Sequence, residues 1–177
     1  LIDTIESDFI FSNNPINRFK IVKKNETAYN QNKNKRLLDL KEKINSIENC
    51  KLKNGSKNLI FGDGDIDGPI MLIGETPNEA EEKSGLPFQG EVGSLLNKMF
   101  LAINVKRNKI YSTYTVNFRT PEDRKPTPQE IKRYSIFLKE HISIIDPKII
   151  VLMGSTAMEA VTGSSNKISN ERGDWKE

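Results

Sequence analysis

Two acidic residues and one aromatic residue lie in a glycine-rich segment that follows an apolar run. Glu75 comes directly after the run, Glu81 follows within the segment, and Phe88 lies between Pro87 and Gly90. A carboxylate at a strand end can orient a water molecule or stabilise a cation, and an aromatic ring can stack on a flat ligand such as a base. The alternative is a solvated acidic loop with Phe88 in the core, and residue types alone favour that alternative.

Basic residues form a second candidate group. Arg119, Arg124 and Lys125 lie in a proline-rich segment after another strand-like run, where they could contact phosphates or simply be solvated. Residues 1–57 carry twelve Lys or Arg against seven Asp or Glu, a balance of +5 in a chain whose net charge is +3. This excess fits a nucleic-acid footprint or a solvated basic face.

Composition excludes several classes of protein. The chain of 177 residues has one cysteine, Cys50, and one histidine, His141, so it holds neither a disulfide framework nor a site of several thiolates or imidazoles. We expect His141 to be structural or solvent-exposed. The longest apolar run, residues 142–153, is too short and too polar to span a membrane, and the acidic start is unlike a signal peptide. The expectation is a soluble, cytoplasmic monomer.

Strand-like and helix-like patterns alternate along the chain. Apolar runs near residues 70, 113 and 150 are each followed by a helical pattern, near residues 97, 136 and 158. This alternation predicts an α/β fold, a parallel sheet covered by helices, with ligands bound where the strands end. Those ends are the loops 74–93, 117–127 and 153–156.

The remaining segments complete the prediction. Residues 1–34 read as irregular, followed by one domain over 35–177 that begins with a helix over 35–48. Residues 54–56 read as a turn, 59–64 as a further strand, 69–73 as a strand buried on both faces, and 148–153 as another buried strand. Thr127, Pro128 and Glu130 give the signature of a helix start.

Several ordered motifs resemble those of the iron–sulfur (type-four) uracil-DNA glycosylases. They are Phe61-Gly62-Asp63-Gly64, Gly74-Glu75-Thr76-Pro77, Gly85-Leu86-Pro87-Phe88-Gln89-Gly90, Gly93-Ser94-Leu95-Leu96, Arg119-Thr120-Pro121, Thr127-Pro128, Pro147 to Gly154, and Arg172-Gly173-Asp174-Trp175. The resemblance implies a three-layer α/β/α sandwich with a mostly parallel central sheet. It also implies an enzyme of base-excision repair that flips deoxyuridine out of DNA and hydrolyses its N-glycosidic bond.

The same resemblance assigns roles to residues. Glu75 would stabilise charge or position water at the sugar, and Glu81 would be a secondary acidic contributor. Phe88 would stack on uracil, and Arg119, Arg124 and Lys125 would contact DNA, which could be single-stranded or uracil-containing. Acidic side chains suit a transition state that resembles an oxocarbenium ion.

The chain departs from this family where the family binds a four-iron, four-sulfur cluster. Cys50 is at one of the four ligand positions, but Ile47, Phe118 and Tyr134 are at the other three. None of these side chains replaces a thiolate. We therefore expect no cofactor in this chain, an apolar plug formed by these four residues, and an inert, buried Cys50.

Two further departures concern the base site. The family's uracil-reading Asn aligns with Tyr114, whose single hydroxyl replaces an amide, and nearby Asn117 should point to the opposite face. The family's His-Pro motif is not found before Glu177, so either it lies beyond this sequence or the protein lacks it. The alternative function is therefore a catalytically degenerate, DNA-binding relic of the fold.

Overall fold

The computed structural model describes residues 26–176, in which helices and strands alternate from residue 70 onward. In chain order the elements are α1 (Glu26–Asn45), α2 (Lys51–Gly55), β1 (Ile70–Gly74), α3 (Glu79–Ser84), α4 (Gly90–Ala102), β2 (Ile110–Tyr114), α5 (Pro128–Ile145), β3 (Ile149–Leu152), α6 (Ser155–Thr162) and α7 (Ile168–Glu171). Short 3₁₀ turns precede β2 and α5, at Arg107–Lys109 and Pro121–Asp123.

The three strands form one parallel sheet with β1 at its centre. The strand order is β2-β1-β3, and the register pairs Gly74 with Tyr114 on one side of β1 and Ile73 with Leu152 on the other. Parallel strands need helical crossovers, which α4 and α5 supply. The predicted α/β architecture is confirmed.

Alternation along β1 divides the interior into two cores. Met71 and Ile73 face a core that includes Leu40 of α1, Leu138 of α5 and Ala157 of α6. Leu72, between them, faces the second core, which includes Ile60, Phe88, Leu96, Ile110 and Tyr114. Successive strand residues point to opposite faces, so the sheet lies between two layers, as the three-layer prediction required.

The N-terminal helix begins earlier than the sequence predicts. Residues 26–34 belong to α1 rather than to an irregular segment, while residues 1–25 lie outside the described residues. The Asn-rich composition of residues 30–34 predicts that the helix begins after them, but contact with a distant part of the chain stabilises the helix through these residues. Buried Lys33 donates to the Ile66 carbonyl at 2.6 Å and to the Asp67 carboxylate at 3.2 Å, which fixes this turn of α1 against a distant loop.

Three other expectations require correction. Residues 54–56 end the short helix α2 rather than forming an isolated turn. Residues 59–64 make only one antiparallel bridge, between Asp63 and Ser112, and form no named strand. Strand β3 is half-exposed, with Ile149 and Val151 each 37% exposed, because it is the edge of the sheet within the described residues.

The start of α5 follows the predicted signature. The Thr127 hydroxyl accepts from the Glu130 N–H at 3.2 Å, and the Glu130 carboxylate accepts from the Thr127 N–H at 2.7 Å. This reciprocal capping satisfies donors that the first helical turn leaves free. Among residues 26–176, no helix combines the length and apolar character that crossing a membrane requires.

Candidate active site

The carboxyl ends of the three strands bring the predicted loops to one edge of the sheet. Because β1, β2 and β3 are parallel, Gly74, Tyr114 and Leu152 all end there. The chain passes from β1 to β2 on one side and then crosses to β3 on the other. The reversal lies between β1 and β3, and at such a reversal open parallel sheets form the crevice in which they bind ligands.

Glu75 lies at this crevice. Its side chain is partly buried, and its Oε1 accepts the Thr156 N–H at 3.0 Å and the Ser155 hydroxyl at 3.4 Å. Gly154 makes this approach possible, since a Cβ there would lie 2.4 Å from Oε1 and its φ is +100°. The carboxylate thus docks against the first turn of α6, where helix N–H groups favour negative charge.

Glu81 is almost completely enclosed, with 1% of its surface exposed. Its Oε2 accepts the Asn78 N–H at 2.8 Å and its Oε1 accepts the Gln89 N–H at 3.2 Å. Asn78 in turn caps α3 with its own side chain. Both carboxylate oxygens therefore hold the loop after β1 in shape, a role that the sequence analysis did not anticipate. Its predicted acidic contribution to catalysis stays a prediction.

Phe88 and Tyr114 form a stacked pair beside Glu81. Their ring centroids are 5.0 Å apart with planes 28° from parallel, and the side chains are 6% and 4% exposed. The Phe88 N–H donates to the Tyr114 hydroxyl at 3.1 Å. Burial raises the pKa of Tyr114 and the carboxylate of Glu81 raises it further, so the hydroxyl keeps its proton.

A polar pocket of about 260 Å³ opens beside Phe88. Its other lining residues are Asp63, Gln89, Gly90, Gly93, Ser94, Asn97 and Arg107. The Arg107 guanidinium lies 5.9 Å from the centre of the Phe88 ring, and burial lowers the pKa of this group. The sequence analysis did not identify Arg107 as a site residue. It did identify the motif of residues 61–64, to which Asp63 of this pocket belongs.

The predicted DNA-contacting residues lie on the loop after β2, and two of them have acidic partners. Arg119 pairs with Asp123 at 2.7 Å and with Glu82 at 3.2 Å. Arg124 makes two contacts of 2.9 Å with Glu130. Lys125 is exposed. The loop therefore presents cations to solvent, with much of their charge balanced within the chain.

Three of the four positions aligned with cluster ligands are in contact, and the fourth, Ile47, packs against the same core; we call these four residues the plug. Phe118 and Tyr134 meet edge to face with centroids 6.4 Å apart, and Ile47 packs partly buried against their core. The Cys50 Sγ lies 3.2 Å from the Tyr134 hydroxyl. One thiol engaged with a phenol does not fit a cluster that needs four thiolates, and no group of three metal-binding side chains occurs in the part of the chain that the structure describes.

His141 and Asn117 have structural partners away from the crevice. His141 is 2% exposed, its Nε2 lies 2.8 Å from the Tyr111 hydroxyl, and its ring stacks on Phe61. Burial lowers its pKa to about 3. The Asn117 amide donates to the Ile60 carbonyl at 3.0 Å. Both residues support the packing of the 59–64 segment, so His141 is structural, as one of the two alternatives stated.

Known proteins match this chain over most of its length. The model of the uracil DNA glycosylase superfamily matches residues 61–176. A type-4 uracil-DNA glycosylase of Thermotoga maritima is 36% identical over 138 residues, which cover 76% of this chain and 72% of that enzyme. The type-4 enzyme of Sulfurisphaera tokodaii is 40% identical over 65% of this chain and 53% of its own length. The type-4 enzyme of Pyrobaculum aerophilum is 29% identical over 79% of this chain and 71% of its own length.

The superfamily match spans the strands and loops that build the crevice, including Glu75, Phe88 and Gly154. Parallel strands with helices on both faces agree with what the motifs implied before the fold was known. The chain belongs to the uracil-DNA glycosylase superfamily.

Proposed function

We propose that this chain acts in the repair of uracil-containing DNA by hydrolysing the N-glycosidic bond of deoxyuridine. Membership of the superfamily supports the substrate class. The observation that carries the proposal for this chain is Glu75, a partly buried carboxylate at the crevice between β1 and β3. Phe88 and the basic loop lie at the same edge of the sheet.

The reaction breaks the bond between C1′ of the sugar and N1 of the base. The electron pair leaves with N1, the sugar becomes cation-like, and the oxygen of a water molecule then bonds to C1′ while its proton is released to balance the anionic base. A fixed carboxylate can stabilise the cation or orient that water. Hydrolysis by water beside a carboxylate involves no change of oxidation state, and Ile47, Phe118 and Tyr134 do not fit a four-thiolate cluster.

The geometry of Glu75 suits this role. Within the described residues, both hydrogen bonds of its carboxylate are made by Oε1, from Thr156 and Ser155. These bonds hold Oε1 against α6 and leave Oε2 without a hydrogen-bond partner among the described residues, so Oε2 is the oxygen available to water or the sugar. Because Gly154 has no side chain, α6 comes close enough to hold the carboxylate.

Basic residues of the loop after β2 would contact the backbone of the DNA. Ion pairs at the protein surface contribute little to stability, so the Arg124 guanidinium can turn from Glu130 to a phosphate at small cost. The Arg119 guanidinium can likewise leave exposed Asp123 while it keeps its contact with buried Glu82. The Lys125 side chain is exposed and has no acidic partner among the described residues, so it needs no such exchange. Contacts of this kind set affinity and register without reading sequence.

A second candidate function is DNA binding without catalysis, by a degenerate member of the superfamily. Tyr114 favours it, because the ring covers Phe88 where a base would stack. A phenol also lacks the paired donor and acceptor with which an amide can discriminate bases. We therefore expect turnover of the wild-type chain to be slow.

A labelled single-stranded oligonucleotide containing one uracil tests the proposal, with alkaline cleavage of the abasic product as the readout. Slow excision that Glu75→Gln lowers by about 10²–10³-fold supports the enzyme. Glu79→Gln, an exposed carboxylate on α3, is the matched control and should leave the rate unchanged. Excision that survives Glu75→Gln would contradict the role of this carboxylate.

Fluorescence anisotropy with the same oligonucleotide decides the second candidate. Binding without excision, weakened by Arg119→Ala and Arg124→Ala, supports the degenerate reading. Absence of both binding and excision contradicts both candidates.

A further inference from the structure

Tyr114 is more than a poor substitute for an amide at the base site. We propose that its ring occupies, from within the chain, a slot beside Phe88 that is shaped for one planar heterocycle, so that residue 114 decides whether a base can enter. The inference rests on the proposed function only in naming a pyrimidine base as the occupant. The slot itself follows from packing and hydrogen bonding.

The position of the ring supports this assignment. Tyr114 is the last residue of β2 and pairs in register with Gly74, the last residue of β1. A Cβ on Gly74 would lie 2.7 Å from the Tyr114 ring and 3.0 Å from the Phe88 ring. The two rings therefore cover the end of the central strand, at the sheet edge where parallel folds bind ligands.

Stacking provides the second argument. A flat ligand gains from Phe88 only if it can lie against a free face of the ring. Tyr114 lies against that ring at 5.0 Å and 28°, which is within the range of offset stacking. Phe88 is 6% exposed, and the Arg107 guanidinium also lies over its ring at 5.9 Å, so a base can use the face that Tyr114 covers only once the phenol leaves.

Hydrogen bonding gives the third argument and points to the class of occupant. The Phe88 N–H is a buried donor, and the Tyr114 hydroxyl satisfies it at 3.1 Å. The carbonyl oxygen of a pyrimidine could accept the same N–H. The hydroxyl also retains a proton beside Glu81, so it accepts and can donate, as the C=O and N–H of a lactam do. Uracil has such a lactam edge, whereas N3 of cytosine has no hydrogen.

Shortening residue 114 should therefore open the slot. Tyr114→Ala removes the ring, Tyr114→Asn replaces it with an amide, and Tyr114→Phe keeps the slot filled. Tyr134→Ala is the matched control because it removes an equally buried tyrosine ring from the other core. All four variants are prepared as full chains, and their folding is checked by circular dichroism.

Binding of free uracil is measured by thermal shift and by NMR titration of backbone amides. Tyr114→Ala and Tyr114→Asn should bind uracil at least about tenfold more tightly than the wild type, with the Phe88 amide among the shifted signals. Tyr114→Phe and Tyr134→Ala should show no gain. If removal of the ring unfolds the chain, uracil at high concentration should restore folding, since a ligand that binds only the native state stabilises it.

Two results would overturn the inference. One is failure of uracil to bind or refold both Tyr114→Ala and Tyr114→Asn. The other is binding by the wild type that equals binding by these variants. Excision assays run in parallel separate this inference from the proposed function. Uracil binding by the variants with no excision by any chain supports the slot and contradicts the enzyme. Rapid, Glu75-dependent excision by the wild type, with no tighter uracil binding by the variants, supports the enzyme and contradicts the slot.

Discussion

Two pairs of one phenylalanine and one tyrosine, one pair in each core, differ in what surrounds them and in what they can do. Phe118 and Tyr134 meet edge to face in the core that α1, α5 and α6 cover. Phe88 and Tyr114 stack in the other core, at the end of the sheet. In the first pair the tyrosine hydroxyl meets the Cys50 thiol, whereas in the second it accepts from the Phe88 N–H and lies beside the Glu81 carboxylate.

The surroundings of the two pairs differ more than the pairs do. The plug formed by Ile47, Cys50, Phe118 and Tyr134 lies among apolar side chains, and its polar contact is the hydrogen bond between the Cys50 thiol and the Tyr134 hydroxyl. The stacked pair lies beside Glu81 and a polar pocket, at the edge where Glu75 is fixed. Packing alone explains the plug, whereas the stacked pair covers groups that can bind or react.

The iron content of the purified protein tests most sharply whether the first pair belongs to an apolar plug. We expect the wild-type chain, purified from iron-replete cells, to contain no iron and no broad visible absorbance, because three of four ligand positions lack sulfur. The combined variant Ile47→Cys, Phe118→Cys and Tyr134→Cys, which retains Cys50, should gain iron after anaerobic reconstitution. Metal analysis by mass spectrometry measures both chains. Roughly four irons per wild-type chain would refute the plug.

Removing a ring of the plug should have the largest effect on stability. Phe118→Ala should lower the free energy of unfolding by about 3–5 kcal/mol, because a side chain 3% exposed leaves a cavity behind it. Urea denaturation measures the loss. Ile136→Ala, on the exposed side of α5, is the control and should change stability by about 0.5 kcal/mol or less. A loss below about 1 kcal/mol for Phe118→Ala would show that no tight plug exists.

The pH dependence of stability tests whether the core that contains the plug shields His141 from water. Burial lowers its pKa to about 3, against about 6.5 in an unfolded chain. Between these values the unfolded state binds a proton that the folded state does not, so the folded state loses stability as pH falls. The loss is about 1.4 kcal/mol per pH unit below pH 6.5 and vanishes above it.

The measurement compares wild type with His141→Gln by urea denaturation at several pH values. Carboxylates contribute to acid unfolding of both chains, so the difference between the two slopes isolates the imidazole. From pH 7 to pH 4.5 the wild type should lose about 2–3 kcal/mol more than the variant. Parallel slopes would mean that water or a charge reaches His141 in the folded state.

Local patterns predicted much of the fold because their physics is local. Thr127 and Glu130 signal a helix start within four residues, and the structure has the bonds that the pattern requires. Asn78 and Glu81 have the same spacing and the same reciprocal bonds. The same spacing is a signal for α3 within residues 74–93, where the sequence predicts only a loop, and for the structural role of Glu81.

The failures share a different cause, contact between residues distant in the chain. The start of α1 depends on Lys33 reaching Ile66 and Asp67, and the exposure of β3 depends on its place at the edge of the sheet. Alignment placed Tyr114 at the base site, but only the fold shows its ring against Phe88. The position of these residues along the chain therefore follows from local patterns, whereas the contacts that decide what they can do follow only from the fold.

The smallest effect distinguishes the two tyrosine hydroxyls. Tyr134→Phe should cost about 1 kcal/mol or less, because the partner it loses is a thiol, a weak hydrogen-bonding group that tolerates burial. Tyr114→Phe should cost about 1–3 kcal/mol, since it leaves the buried Phe88 N–H without its acceptor. Each variant keeps its ring, so cavity formation does not enter the comparison. Urea denaturation at pH 7 measures both losses. Equal losses, or a larger loss for Tyr134→Phe, would mean that the plug depends on its polar contact as much as the stacked pair does.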